Sequence, residues 1–363
     1  MEGLGLFFRG GAGFGRTKFL MRLRFDFRRY GLPLRVPVRT AHGVWTQREG
    51  VLVRIEDEHG RAGVGEAAPI DAFGTETVDE IATACGGFGA WVERDVLAGV
   101  PQRLRCLRNA CARALEGMEG TANAAPENEE KGADYLAVAA LLPAGRAVLA
   151  AIEGKAEAGF RVFKWKVGVG DAADELALLD DVCAKLPDGA KLRLDANGAW
   201  DRRRAERWLE RCADRPVEFV EQPVAADARG AEDLLLGLAG DFPAAIALDE
   251  SIASDGDVEK WLGAGWRGVF VVKPALLGEV RATIEKLETA KSAVVFSSAL
   301  ETAVGARAAL RLALRWRGEK RALGFGVWPL FADARFDGPG AAPFIRKEDV
   351  ERIDAEAVWN ALS

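Results

Sequence analysis

The chain has 363 residues, 49% of them hydrophobic, enough to bury one large core or two medium ones. Its 49 Lys and Arg against 55 Asp and Glu leave a net charge of -6, which argues against a nucleic-acid partner or an anionic membrane surface. No stretch approaches the roughly 18 uninterrupted apolar residues of a membrane span. The five cysteines (Cys85, Cys106, Cys111, Cys183, Cys212) are scattered, odd in number and without any CxxC pair, a pattern that points to a reducing cytoplasm. The two histidines, His42 and His59, both lie in the first sixth of the chain, so any enzymatic proton chemistry falls to Lys, Asp and Glu.

Residues 1–20 are glycine-rich and lack an apolar stretch followed by a small-residue cleavage site, so they read as an upstream or disordered extension rather than a signal peptide. Within them, GGAGFGRT (Gly10–Thr17) nearly spells a phosphate loop, but Arg16 stands where lysine is needed and no strand precedes it. From Met21 the pattern turns strand-like. RLRFDFRRY alternates, VLVRIEDEHGRAGVGEAA reads as a hairpin with His59 in its turn, and RTAHGVWTQREG between them reads as a polar loop. Residues 76 to 117 have helical spacing, and GTANAAPENEEKGAD, with Pro126, reads as a linker. A first α+β domain, 21–132, is therefore expected.

Beyond it, β-branched runs alternate with amphipathic helices: YLAVAALL, RVFKWKVG, KLRLDANG, PVEFVEQPV, AAIALDES, RGVFVVKPA, AVVFSSAL and ALGFGVW. Strand–helix alternation also suits an open doubly wound sheet, but eight near-even units favour closure into a (β/α)8-type barrel over 133–328. The tail, 329–363, is expected to fold back on the first domain.

Chemistry in such barrels gathers at the C-terminal strand ends. Here the second strand ends in Lys164 and Lys166, the third in Asp195 followed by Asn197, the fourth in Glu221, the fifth in Asp249 and Glu250, and the sixth in Lys273. Spacings from Lys166 onward are 29, 26, 28 and 24 residues, one βα unit each. Alternation along a strand sends Lys164 and Lys166 the same way, into the barrel mouth. Arg193 shares the face of Asp195 but lies deeper, where a buried charge partner is its expected role.

One charge at a strand end is ordinarily solvated or a cap, but five consecutive apolar strands ending in inward-phased charge are not explained that way. Three carboxylates converging on one point need a cation, and an oxygen-only set with few protein ligands suits Mg2+, with Mn2+ able to substitute; zinc would want His or Cys. Lysines flanking the triad suit proton abstraction beside a carboxylate, with the metal holding the resulting charge. Asn197 and Glu250 read either as caps or as supports for the ligands. A non-catalytic, ligand-binding barrel would be expected to have lost one of these charges, and none is missing.

KWKVG, LRLDANGAW, EFVEQPV, ALDES, VVKP, FSSALET and GFGVWPLF together resemble the enolase superfamily, in its muconate-lactonising-type subgroup, and within it the o-succinylbenzoate synthases of menaquinone or phylloquinone biosynthesis. The resemblance runs from Met21 to the tail and implies an α/β fold, a modified TIM barrel of (β/α)7β type with an N-terminal α+β capping domain. It implies Asp195, Glu221 and Asp249 as Mg2+ ligands and Lys166 as the base. Lys273 would stabilise charge from the opposite face, and Lys164 would polarise the carboxylate. Ser297 and Ser298 would line the succinyl pocket, and the loops around His42–Arg48 and Phe73–Thr75 would be lids. The implied reaction is dehydration of 2-succinyl-6-hydroxy-2,4-cyclohexadiene-1-carboxylate to 2-succinylbenzoate.

Racemisation of N-succinyl amino acids, or another racemase or cycloisomerase activity of the subgroup, is the alternative, since both lysines are present. Dipeptide epimerases carry a DxD pair where this chain has GFGVWPLF, and the mandelate-racemase type needs a late histidine, which is absent.

Overall fold

A computed structural model describes residues 22–40, 43–120 and 133–362. The expected extension at 1–20, His42 and most of the expected linker lie outside the described residues. The N-terminal body is an antiparallel sheet in the order β3-β2-β1-β4, formed by β1 (Arg22–Thr40), β2 (Gly43–Glu56), β3 (Ala62–Ala67) and β4 (Trp91–Glu93). Helices α1 (Val78–Phe88), α2 (Arg94–Ala98) and α3 (Arg105–Glu119) complete it. The described residues of the segment RTAHGVWTQREG are strand rather than loop. Val38 pairs with Trp45, Arg39 with Val44 and Thr40 with Gly43, so the hairpin runs nearly to its tip and Arg48 sits within a strand. The segment reads as a loop because both faces of this outer hairpin are largely wet, which removes the alternation that marks a half-buried strand.

Two glycines of β3 set the spacing of this body. A Cβ at Gly63 would lie 2.0 Å from the Ala114 carbonyl oxygen, and one at Gly65 would lie 2.0 Å from that of Ala110. Only glycine lets α3 approach so closely. From there Asn109 donates across to the Pro274 carbonyl at 2.7 Å, beside Lys273 of the other body.

The second body alternates β6 (Ala140–Leu142, after the short β5, Tyr135–Ala137), α4 (Val148–Glu157), β7 (Val162–Lys166), α5 (Ala172–Lys185), β8 (Lys191–Asp195), α6 (Arg202–Cys212), β9 (Val217–Glu221), α7 (Ala231–Asp241), β10 (Ile246–Leu248), α8 (Asp255–Gly263), β11 (Val269–Val272), α9 (Val280–Thr289), β12 (Ala293–Phe296) and α10 (Ala303–Arg315). The strands form one parallel seven-stranded sheet in sequential order. The eighth expected strand, ALGFGVW, is reduced to a seam: Leu323 bridges to Val138 and Gly324 to Ser297, closing the ring. Gly324 is required there, since its Cβ would lie 2.4 Å from Ser297 Oγ. The first run, YLAVAALL, also divides. Tyr135–Ala137 pairs antiparallel with β13 (Phe344–Arg346), leaving Ala140–Leu142 to the barrel. Helices α11 (Lys347–Glu351) and α12 (Ala355–Ala361) follow. This last stretch runs against the N-terminal sheet, with Arg54 bonded to Glu356 at 2.9 Å and Arg28 stacked over Trp359 at 4.4 Å.

The barrel interior is a small apolar layer of Phe219, Ala247, Val269, Val271 and Val295. The core of the N-terminal body is not closed by its own residues. Ala275 and Leu276, just past β11, and Ala299, just past β12, belong to it. The five cysteines are free. Burial alone pushes the Cys85 thiol up to about 12. Among the described residues no helix is long and apolar enough to cross a membrane.

Candidate active site

Alternation on β7 buries Phe163 and Trp165 against the helices and turns Lys164 and Lys166 inward. Register then builds a row: Lys166 is opposite Asp195, and Asp195 is opposite Glu221. Asp249 and Lys273 follow at the ends of β10 and β11. The charged residues read from the strand ends are thus brought to one rim of the barrel. Asp195, Glu221, Asp249 and Lys273 are all buried there.

The contacts divide the lysines. Lys164 Nζ lies 2.7 Å from Glu221 Oε1 and 2.9 Å from Asp195 Oδ2. Lys273 Nζ donates to Asp249 and lies over the Phe73 ring at 4.7 Å. Phe73 comes from the N-terminal body, so the loop at Phe73–Thr75 reaches the rim. Burial opposes the charge on Lys164, but Asp195 and Glu221 together hold its ammonium above the ordinary lysine value. Burial takes Lys273 down to about 7, with Lys164 pushing the same way and Glu221 against it. Burial, aided by the charges of Asp195 and Glu221, lifts Glu250 to about 7.

Two other side chains shape the carboxylate ends. Asn197 donates its amide to Glu250 at 3.2 Å, while Asn197 Oδ1 and Glu250 Oε2 are buried without a hydrogen-bond partner. Gln222, which sequence reasoning did not single out, accepts from the Asp249 and Ser251 amides at 3.0 and 3.1 Å and so ties β9 to β10. Asn197 and Gln222 both take left-handed backbone, at φ 43° and 37°. Strain of that kind collects where a site over-determines its loops. Arg193 is held by Glu218 at 2.7 Å, both buried, as a charge pair below the rim.

Among the described residues no three His, Cys, Asp or Glu side chains are gathered closely enough to hold a metal as they stand. The Lys164 and Lys273 ammoniums stand on the very carboxylates that sequence reading assigns as ligands. The donor chemistry nonetheless fits a hard divalent cation. It is oxygen-only, it comes from three adjacent strands, and burial with mutual repulsion raises the carboxyl of Glu221.

Ser297 and Ser298 open the loop after β12. Ser297 Oγ faces the Gly324 carbonyl at 3.4 Å, and Ser298 Oγ donates to Glu301 Oε2 at 2.9 Å. Glu301, passed over in the sequence, is fully buried and also accepts from the Ala299 amide at 2.5 Å. Burial lifts its carboxyl to about 7, with Glu66 adding to the effect and the Ser298 and Ala299 bonds opposing it; Arg48 and Tyr30 share this buried space. A folded-state value above the unfolded one gives stability that is complete below about pH 4.5 and is lost as pH rises through about 7. Glu301→Gln, neutral throughout, is therefore expected to gain on wild type by on the order of 2–3 kcal/mol between about pH 5 and 8. Thermal melts of both proteins across that range check it, and a difference that stays flat refutes it.

Residues 147–340 match a family model described as Enolase C-terminal domain-like, and residues 22–98 match MenC, N-terminal domain. The chain is 38% identical to the o-succinylbenzoate synthase of Thermosynechococcus vestitus over 310 residues, which is 84% of this chain and 92% of that protein. It superposes with a TM-score of 0.77 and 35% identity on the structure of o-succinylbenzoate synthase from Thermosynechococcus elongatus BP-1, complexed with Mg in the active site, covering 93% and 99% of the two chains. The L-Ala-D/L-Glu epimerase of Bacillus subtilis shares the fold, at TM-score 0.75 and 23% identity, covering 89% of this chain and 95% of that one.

Proposed function

The chain belongs to the o-succinylbenzoate synthase family of the enolase superfamily, and on that footing we propose that its barrel rim dehydrates 2-succinyl-6-hydroxy-2,4-cyclohexadiene-1-carboxylate to 2-succinylbenzoate, a step toward menaquinone or phylloquinone. The observation that carries the residue assignment is the row Lys166–Asp195–Glu221, with Asp249 and Lys273 beyond it, all at one end of one parallel sheet.

Asp195, Glu221 and Asp249 would hold Mg2+ (or Mn2+), which when bound supplies positive charge beside the substrate carboxylate. Lys166 Nζ takes the proton from the carbon bearing that carboxylate. The electron pair of the broken C–H bond enters the ring, the C–O bond to the hydroxyl breaks, and the same Nζ returns its proton to the departing hydroxide, which leaves as water. Aromatisation drives the step. Lys273, from the opposite side of the barrel, holds negative charge as it develops on the carboxylate. Lys164, fixed between Asp195 and Glu221, stays charged and polarises rather than transfers. Asn197 and Glu250 support the ligand loops, and Ser297 and Ser298 line the substrate's succinyl arm. The substrate is a small carboxylate, and the free cysteines suit a reducing, cytoplasmic setting.

The test is loss of the cyclohexadiene substrate by purified protein with Mg2+, then with EDTA, then with Mg2+ restored. Turnover that collapses in EDTA and returns is the expected result. A protein that binds Mg2+ yet leaves the substrate untouched refutes the assignment. One observation favours a second activity in that case. β7 and β11 are separated by three intervening strands, so Lys166 and Lys273 face the substrate from two sides. That placement suits racemisation of N-succinyl amino acids.

A further inference from the structure

Arg48 lies in β2 of the N-terminal sheet, 4% exposed, and its five N–H groups go to five backbone carbonyls. One is that of its neighbour, Glu49. Two more, Ala68 and Pro69 at 2.7 and 2.8 Å, lie just past β3 in its own body. The last two, Ala299 and Leu300, both at 3.2 Å, lie in the loop after β12 of the barrel. Burying a guanidinium is unfavourable unless every donor is satisfied. The planar fork of arginine can reach carbonyls on two bodies at once, which the single nitrogen of lysine cannot.

The loop it grips is under strain. Leu300 holds φ at 60°, a left-handed conformation that a branched side chain rarely adopts. The same turn places Ser298, whose Oγ accepts from the Leu300 amide at 2.9 Å and donates to Glu301. Arg48 therefore grips the two carbonyls on either side of the strained Leu300, in the same turn as the serine hydroxyl.

We propose that Arg48 is a positioning residue: by holding the Ala299 and Leu300 carbonyls it fixes the 298–301 turn, so that the N-terminal sheet sets where Ser298 meets the succinyl arm of the substrate. The inference rests on the functional reading above. It assigns specificity for the arm to a residue that touches neither substrate nor metal, and it makes docking of the two bodies a condition for gripping the arm rather than for moving the proton.

A double-mutant cycle between Arg48→Lys and Ser298→Ala tests it, read both as KM against kcat and as equilibrium affinity for 2-succinylbenzoate. If Arg48 acts through Ser298, each single change raises KM and weakens product binding about tenfold with kcat within about threefold, and the double variant is no worse than the weaker-binding single one. A purely structural Arg48 would instead lower the melting temperature and combine additively with Ser298→Ala; additivity overturns the inference. Should Arg48→Lys fail to fold, Leu300→Gly loosens the same turn from within, since glycine does not hold one left-handed geometry. It is expected to show the same non-additivity with Ser298→Ala, and additive behaviour there overturns the inference equally. A wild-type protein that neither turns over the cyclohexadiene nor binds 2-succinylbenzoate removes the functional reading and this inference with it. A wild type that does both, with additive variants, removes the inference alone.

Discussion

Lys166→Ala is expected to abolish dehydration while leaving a folded protein with its carboxylate rim in place. Three lysines stand at the rim. Lys164 lies between Asp195 and Glu221, and Lys273 stands on Asp249 beneath the Phe73 ring. Lys166 ends β7 opposite Asp195 and is half-buried at the mouth, where a proton can be exchanged with substrate. Positioned proton transfer contributes roughly 10²–10⁴-fold in rate, and here one nitrogen serves both the removal and the return of the proton. A loss of turnover of at least about 10³-fold is expected from a protein that still folds and still binds Mg2+. Turnover near that of wild type would sink the assignment of Lys166 as the base.

The second large effect is on stability. Lys164→Met removes the ammonium between two buried carboxylates and leaves both uncompensated. Removing one partner of a buried pair costs roughly 3–5 kcal/mol, far more than the pair contributed when intact. In EDTA the variant is expected to melt well below wild type. Mg2+ can take over the lost charge, and at about one hundred times its dissociation constant it returns about 2.7 kcal/mol. The variant should therefore gain more from Mg2+ than wild type does, because in wild type the Lys164 ammonium already neutralises the same oxygens. Melts in EDTA and across a Mg2+ series measure this. A Lys164→Met protein as stable as wild type in EDTA, or one indifferent to Mg2+, would show that Asp195 and Glu221 do not act as a buried, cation-demanding pair.

Much of the rim was legible because strand periodicity and βα spacing are local properties. Lys166, Asp195, Glu221, Asp249 and Lys273 recur about once per unit, and register alone aligns the first three. What the chain order does not carry is distance across the ring. That Lys164 bridges two carboxylates, or that Gln222 reaches the Asp249 amide, depends on rotamers and on left-handed turns at Asn197 and Gln222, which no periodicity announces. The contacts between bodies were the least visible. Arg48 read as part of a polar loop because its hairpin is wet on both faces, and its five carbonyl partners are drawn from segments up to 252 residues away. Glu301 read as one letter of FSSALET, because burial and not composition makes it consequential. The eighth strand was overestimated for a related reason. ALGFGVW has the apolar content of a strand, but Gly324 is there to let backbone pass Ser297, and a seam of two residues suffices to close the ring.

Ala275, Leu276 and Ala299 lie in barrel loops yet fill the core of the N-terminal sheet. Neither body is thus a finished folding unit. A barrel synthesised alone would present Ala275, Leu276 and Ala299 to water beside Lys273 and Ser298, and an N-terminal sheet alone would have a hole in its floor. The two cores are coupled, since a change of side-chain volume in one is felt as a shift of loop in the other. Exchange of N-terminal bodies between relatives would here have to carry matching barrel loops along with it.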